Sequence, residues 1–278
     1  MRSRIAPTPS GFLHIGNALN FALTWLEVRK AGGSLRLRID DLDSQRSRPE
    51  FIEDVFDTLR WMRLDWDLGP RDPEEHQLHF SQHLRRGRYL EVLLHLLSRG
   101  SAYVCECSRQ ELKTIPCRCN ERNLPFDPSS SAVRVRGGEG RVALGDFVLW
   151  RREGIPAYQL VSLVDDLDFG IDLIVRGEDL RPSTEAQLFL ASRLGSRFEA
   201  ERFCRVRVVY HHLITGPSGE KYSKSNRSTS LRELFQRDGP PDALYRGLSR
   251  HLGFREPHDS IASMLSEVRA SGAQPDQQ

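Results

Sequence analysis

This chain has no stretch long and apolar enough to read as a membrane span. Met1-Arg2-Ser3-Arg4-Ile5 runs straight into a strand-like segment without the apolar region of a secretory leader. The expectation is a cytoplasmic, monomeric protein with no membrane contact. An excess of charge of one sign is also missing: 40 Lys and Arg face 38 Asp and Glu, a net charge of +2. That balance excludes a chain that holds nucleic acid through its overall charge, so any basic face has to be local. No internal repeat and no long low-complexity segment is present, which argues against a repeat architecture. What remains is 278 residues with 38% hydrophobic and 28% charged content. These figures fit one large soluble domain, or a domain with an insertion.

Cysteine is scarce but clustered. Of the five, Cys105, Cys107, Cys117 and Cys119 lie close together and Cys204 stands alone. In a reducing compartment such clustering points to a metal rather than to disulfides. Two Cys-x-Cys pairs could hold Zn²⁺ tetrahedrally, although Cys-x₂-Cys is the commoner spacing; the alternative is four reduced thiols in a loop. Four protein ligands would leave no open position, so the metal would be structural.

The periodicity of the first 100 residues alternates between strand and helix. After Ile5 comes a turn-rich Pro7-Thr8-Pro9-Ser10-Gly11. A helix follows from Asn17 to Lys30, with Ala18, Ala22, Trp25, Leu26 and Val28 as its apolar stripe, ended by Gly32-Gly33. Leu35 to Ile39 alternates as a strand and ends in Asp40-Asp41-Leu42-Asp43. Helices are expected over about 49–62 and 83–98. This β-α-β-α order predicts an α/β fold with a parallel sheet. Further strands are expected at 132–136, 147–150, 171–175 and 206–209, and a helix at 183–194. The last 50 residues read as helical, with a frayed polar tail after Ser271. Arg85, Arg86, Arg88 and Arg99, and Arg227, Arg232, Arg246 and Arg250, could meet RNA phosphate but read first as solvated helix faces.

Two segments carry chemistry. A strand, a Pro/Gly loop and a helix opening at His14-Ile15-Gly16-Asn17 suit ATP. The helix N-terminus offers free N–H groups to phosphate, Gly16 allows close approach of adenine and ribose, and His14 can donate to a phosphate oxygen. Much later comes Gly219-Glu220-Lys221-Tyr222-Ser223-Lys224-Ser225, a loop whose lysines and serines could clamp a triphosphate. In this order the pair resembles the HIGH and KMSKS motifs of class I aminoacyl-tRNA synthetases, with Asn17 for the second histidine and Tyr222 for methionine. The resemblance implies a Rossmann-like catalytic core. His14, Lys221 and Lys224 would be catalytic, Gly16, Asn17 and Ser223 would help to bind ATP, and Mg²⁺ would accompany the nucleotide.

The chain further resembles the glutamyl-tRNA synthetases. The matching segments are Arg4-Ile5-Ala6-Pro7-Thr8-Pro9-Ser10-Gly11, Leu35 to Asp43, Leu64-Asp65-Trp66-Asp67, Pro156-Ala157-Tyr158-Gln159-Leu160, Val164-Asp165-Asp166 and Ile174 to Leu180. They run in family order over most of residues 4–225. The resemblance implies L-glutamate as substrate, held by Arg4, Thr8, Arg176, Tyr158 and Asp40, where the family usually carries glutamate in place of Asp40. Residues 226–278 are too few for the anticodon-binding region of full-length enzymes. A core ending there resembles the glutamyl-Q tRNA(Asp) synthetases, which activate glutamate without tRNA and attach it to queuosine at the wobble position of tRNA(Asp). That family also has a zinc site beginning Cys-x-Cys, matched by Cys105-Glu106-Cys107. The expected organisation is a first half-core over 1–103, a zinc-bearing insertion over 104–148, a second half-core over 149–225 and a short helical extension over 226–278. Two alternatives stay open: charging of a tRNA 3′ end, and an adenylating ligase that serves a non-RNA acceptor.

Overall fold

The computed structural model describes residues 1–137, 145–214 and 230–270. In chain order its elements are β1 (Arg2–Ile5), α1 (Ile15–Lys30), β2 (Ser34–Leu37), α2 (Pro49–Trp61), α3 (Pro73–Glu75), α4 (Arg86–Ser98), β3 (Ala102–Cys105), α5 (Glu111–Thr114), β4 (Ala132–Val135), β5 (Val148–Trp150), α6 (Tyr158–Asp168), β6 (Leu173–Gly177), α7 (Arg181–Leu194), β7 (Arg207–His211), α8 (Leu231–Asp238), α9 (Asp242–His251) and α10 (Ile261–Ala270). The chain folds into two compact units. One comprises Met1–Gln82, Ile171–Asp179 and Arg207–Gln278; the other comprises His83–Gly170 and Leu180–Val206.

The first unit is built on parallel strands. β1 pairs with β2 from Arg2↔Ser34 to Ile5↔Leu37, and β6 pairs with β7 from Leu173↔Arg207 to Gly177↔His211. β1 lies beside β6: the Asp172 N–H donates to the Arg2 carbonyl at 3.1 Å, and Ser3 Oγ donates to the Leu173 carbonyl at 2.8 Å. The link between α1 and β2 needs a glycine at 33. A Cβ there would lie 2.4 Å from the Met1 carbonyl oxygen, which accepts the Ser34 N–H at 3.0 Å. α1 is buried from Ala18 to Val28 except at Asn20, and packs with Ile5, Leu35, Leu37, Val55, Phe56, Leu173 and Val175 in one apolar core. The parallel βαβ arrangement and the helical C-terminal segment follow the expectation, and α1 begins two residues earlier than its apolar stripe suggested.

Behind β2, Asp41 anchors the turn that follows α3. Its Oδ2 accepts from Ser81 Oγ at 2.6 Å and pairs with His76 Nε2 at 3.0 Å, and its Oδ1 accepts the Gln82 N–H at 2.8 Å. Burial opposes the Asp41 charge, but the bonds from His76, Ser81 and Gln82 outweigh it and hold the carboxyl below its ordinary range. A depressed folded pKa contributes stability that is complete above the unfolded value of about 3.9 and is lost as pH falls below it. Asp41→Asn is therefore expected to cost about 1–3 kcal/mol at neutral pH. The gap to the wild type should close as pH drops below about 4, which thermal denaturation at stepped pH measures.

The second unit carries an antiparallel sheet in the order β3-β4-β5, with Ala102↔Val135 and Cys105↔Ala132 in register. It also contains α4, α6 and α7, which meet one another. Three of the arginines read as a solvated face are instead tied into this unit. Arg85 Nε donates to the fully buried Asp165 at 2.8 Å and its Nη2 to Asp168 at 2.7 Å, while Arg88 holds Asp168 through Nε at 3.0 Å and Nη2 at 2.7 Å. The Tyr89 hydroxyl donates to both Asp165 oxygens, at 2.9 and 3.1 Å. Arg86 donates to the Gly154 carbonyl at 2.6 Å and lies over the Trp150 ring. The sequence could not separate these roles, because the acidic partners lie about 80 positions away.

Candidate active site

The loop after β1 is set by a buried carboxylate that the sequence did not single out. Asp54 of α2 accepts the Leu13 N–H at 2.9 Å, and the Leu13 carbonyl accepts the Leu231 N–H at 2.8 Å. His14 then caps α1. Its Nδ1 accepts the Gly16 N–H at 3.1 Å, and the Asn17 side-chain oxygen returns to accept the His14 N–H at 3.0 Å, closing a reciprocal capping box. With Nδ1 an acceptor, the neutral ring carries its proton on Nε2, as a donor to phosphate requires. Gly16 has a local reason too: a Cβ there would sit 3.1 Å from the His14 ring. His14, Gly16 and Asn17 are thus brought together at one helix N-terminus, where backbone N–H groups and the helix dipole favour an anion. Asn17 serves this cap in place of a second histidine.

Lys221, Ser223 and Lys224 lie outside the described residues. The described chain on either side of them returns to α1. His211, at the end of β7, has Nε2 at 3.2 Å from Asn20 Nδ2, and Leu231 bonds Leu13. His211 Nδ1 faces the His212 carbonyl at 3.0 Å, so it holds the ring proton and Nε2 accepts from Asn20. Burial lowers the His211 pKa below its ordinary value, against the opposing pull of the His212 carbonyl.

The expected glutamate ligands of the first unit gather at the carboxyl ends of its strands. Arg4 is 5% exposed on β1, Arg176 is 2% exposed on β6, and Asp40, 8% exposed, follows β2. The end of a parallel strand beside a helix N-terminus is where open α/β sheets bind ligands. Thr8 is exposed in the loop after β1. Tyr158, in the second unit, is the first residue of α6 and is half-buried. Asp40 has partners of its own: Arg38 holds it through Nε at 2.6 Å and Nη2 at 3.1 Å, and Gln82 Nε2 donates to its Oδ1 at 2.9 Å. Arg38 and Gln82 were not picked out from the sequence. For Arg38 a signal existed, because positions 38 and 40 share a face of an extended chain.

The four clustered cysteines converge in the second unit. Cys105 closes β3, Cys107 follows it, α5 turns the chain back, and Cys117 and Cys119 come next. Their sulfurs all lie within 4.8 Å of one another, with Cys105–Cys117 at 3.6 Å, Cys107–Cys117 at 3.8 Å and Cys107–Cys119 at 3.6 Å. Zn–S bonds of about 2.3 Å in a tetrahedron place sulfurs about 3.8 Å apart, so the donor set fits a metal ion of that kind. Burial pushes the Cys105 thiol up to about 12 and the Cys107 thiol up to about 11, with the neighbouring sulfurs adding to the shift. Burial would also raise Cys117, but the Cys119 N–H, the Tyr103 hydroxyl and the Cys105 and Cys107 thiols outweigh it and bring it down to about 7. Tyr103 donates to Asp146 and lies 3.6 Å from Cys117, packing the site from one side.

The family profile of the tRNA synthetases class I (E and Q), catalytic domain, matches residues 1–130 and 127–267. Among similar proteins, a glutamyl-Q tRNA(Asp) synthetase of Nitratidesulfovibrio vulgaris is 36% identical over 89% of this chain and 84% of its own length. One of Synechococcus is 38% identical over 87% of this chain and 79% of its own. A glutamate–tRNA ligase of Acidithiobacillus ferrooxidans is 33% identical over 90% of this chain, which spans 56% of that relative. The crystal structure of a glutamate tRNA ligase from Elizabethkingia meningosepticum, 23% identical, superposes with a TM-score of 0.73 over 95% of this chain and 64% of that one, a likeness of fold. The parallel strands and helices of the first unit are thus those of a Rossmann-like class I core. No helix among the described residues is long and apolar enough to cross a membrane.

Proposed function

Because the chain belongs to the class I tRNA synthetase (E and Q) catalytic-domain family, we propose that it activates glutamate with ATP and transfers it to queuosine at the wobble position of tRNA(Asp). The observation that carries the activation step is the placement of Arg4, Arg176 and Asp40 at adjacent parallel strand ends, in the same unit as the His14 cap of α1. Two buried guanidiniums suit an anionic side chain, and a carboxylate suits an α-ammonium. The acceptor is supported by relatives of that name, matched over most of both chains.

In this reading the glutamate α-carboxylate, already a nucleophile, attacks the α-phosphorus of ATP. The bond to pyrophosphate breaks, and glutamyl-adenylate is left. Such a step needs alignment and charge stabilisation rather than a strong base. His14 Nε2–H, Lys221 and Lys224 stabilise the phosphate charge, with Gly16, Asn17 and Ser223 completing the ATP site. Arg4, Thr8, Asp40, Tyr158 and Arg176 orient the amino acid. Mg²⁺, when bound with ATP, neutralises phosphate charge. An acceptor hydroxyl then attacks the acyl carbon, and AMP leaves. Cys105, Cys107, Cys117 and Cys119 hold one structural Zn²⁺. The half-cores over 1–103 and 149–225, the insertion over 104–148 and the extension over 226–278 belong to the same reading, as do a monomeric state and a cytoplasmic location.

The test of activation is exchange of labelled pyrophosphate into ATP. Exchange that depends on glutamate and needs no tRNA is expected. Exchange driven by a different amino acid, or none with any, would overturn the assignment.

A further inference from the structure

We propose that Gln82 is a positioning residue for the amino-acid site, acting on substrate through Asp40. The inference rests on the assignment of Asp40 to the α-ammonium made above. Gln82 is 1% exposed and joins two adjacent carboxylates: its backbone N–H donates to Asp41 Oδ1 at 2.8 Å and its side-chain Nε2 to Asp40 Oδ1 at 2.9 Å. The Asp41 bond belongs to a fully buried anchor. His76 and Ser81 meet the other Asp41 oxygen, so the backbone of Gln82 is fixed before its side chain is considered. The Asp40 bond is then made from a preset position. Arg38 Nε reaches the same Oδ1 at 2.6 Å. Arg38 also reaches the other oxygen, Nη2 to Oδ2 at 3.1 Å, and so sets the carboxylate plane from its own segment, while Gln82 adds a donor from a different element that ties Asp40 to the Asp41 anchor.

This matters for a short side chain. Asp40 has one methylene fewer than glutamate, so a rotation of its carboxylate moves the oxygens offered to an ammonium by a large share of its reach. A carboxylate held by neighbours whose own positions are locked is preorganised, and the cost of orienting it is met in folding rather than on binding. Loss of the amide should therefore weaken amino-acid binding and leave ATP binding alone, because the cap of His14, Gly16 and Asn17 is closed by its own hydrogen bonds.

The experiment uses the full chain and glutamate-dependent pyrophosphate exchange. Gln82→Met keeps the length and the backbone donor and removes only the amide. The expected result is a KM for glutamate raised about tenfold, the scale of a hydrogen bond to a charged group, with the KM for ATP within about twofold. In an Asp40→Asn background the same substitution should add nothing, since the group it orients is already neutral. If Gln82→Met leaves the KM for glutamate unchanged, shifts both KM values alike, or acts additively with Asp40→Asn, the positioning role is wrong while the activation reading stands. A wild-type enzyme with no glutamate-dependent exchange would overturn both.

Discussion

Replacement of Lys224 by alanine is expected to lower the turnover of glutamate activation by on the order of 10²-fold or more, the scale of one preorganised donor at a developing charge. The expectation follows from the chemistry of the step. No general base is needed, so the barrier is set by how well positive groups meet the charge at phosphorus, and a lysine that acts only there lowers turnover without a matching rise in KM. His14→Ala is the informative contrast. His14 also caps α1, with its Nδ1 on the Gly16 N–H, so its loss should cost about 1 kcal/mol of stability besides turnover. Lys224→Ala should leave Tm where it is. Steady-state exchange kinetics beside thermal denaturation of the two variants separates the two effects. Equal turnover in Lys224→Ala and wild type would remove this lysine from the mechanism.

That contrast also shows what the sequence could disclose. The ordered motifs were legible because each is local: a loop and a helix start around His14, and a strand end at Asp40. The apolar stripe placed the helix start at Asn17, two residues late, because the first turn carries no apolar residue of that stripe, whereas the motif itself marked the opening at His14. α6 was seen only as motif residues. Gln159, Ser162, Asp165 and Asp166 recur there at helical spacing, a period the motif reading did not use. Asp54, His76, Ser81 and Gln82 were illegible for another reason. Each acts on a residue 35 to 42 positions away, and nothing in a local pattern announces such a partner. The four cysteines fared better, because cysteine chemistry allows few readings of four neighbouring thiols, and their sulfurs do converge.

Removal of the zinc proposed at the four thiols should have the second large effect. Cys105, Cys107, Cys117 and Cys119 draw β3, α5 and the turn at Cys119–Glu121 together. The apolar cluster beneath them is small, made of Tyr103, Cys105 and Cys119 with Cys107, Cys117 and Leu124 against it. A core of that size does not hold such a loop by burial alone. Metal binding at structural zinc sites supplies apparent folding energy of about 10–16 kcal/mol in small peptides. A strong chelator, or Cys119→Ser, is thus expected to release one zinc per chain and to open residues 102–135 to hydrogen exchange by several orders of magnitude. The amides of β1 and α1 should stay protected. Metal analysis of the purified protein with exchange read by mass spectrometry checks this. Protein that carries no zinc and shows the same protection with and without chelator would mean that the thiols serve as plain packing.

The acceptor is the central claim, and one measurement addresses it directly. Labelled glutamate is incubated with ATP, Mg²⁺, the enzyme and bulk tRNA, taken either from cells that make queuosine or from cells that cannot. The account predicts label on the first tRNA pool alone. Label on both pools would point to charging of a 3′ end, and label on neither, beside intact pyrophosphate exchange, to a non-RNA acceptor; either result would contradict it.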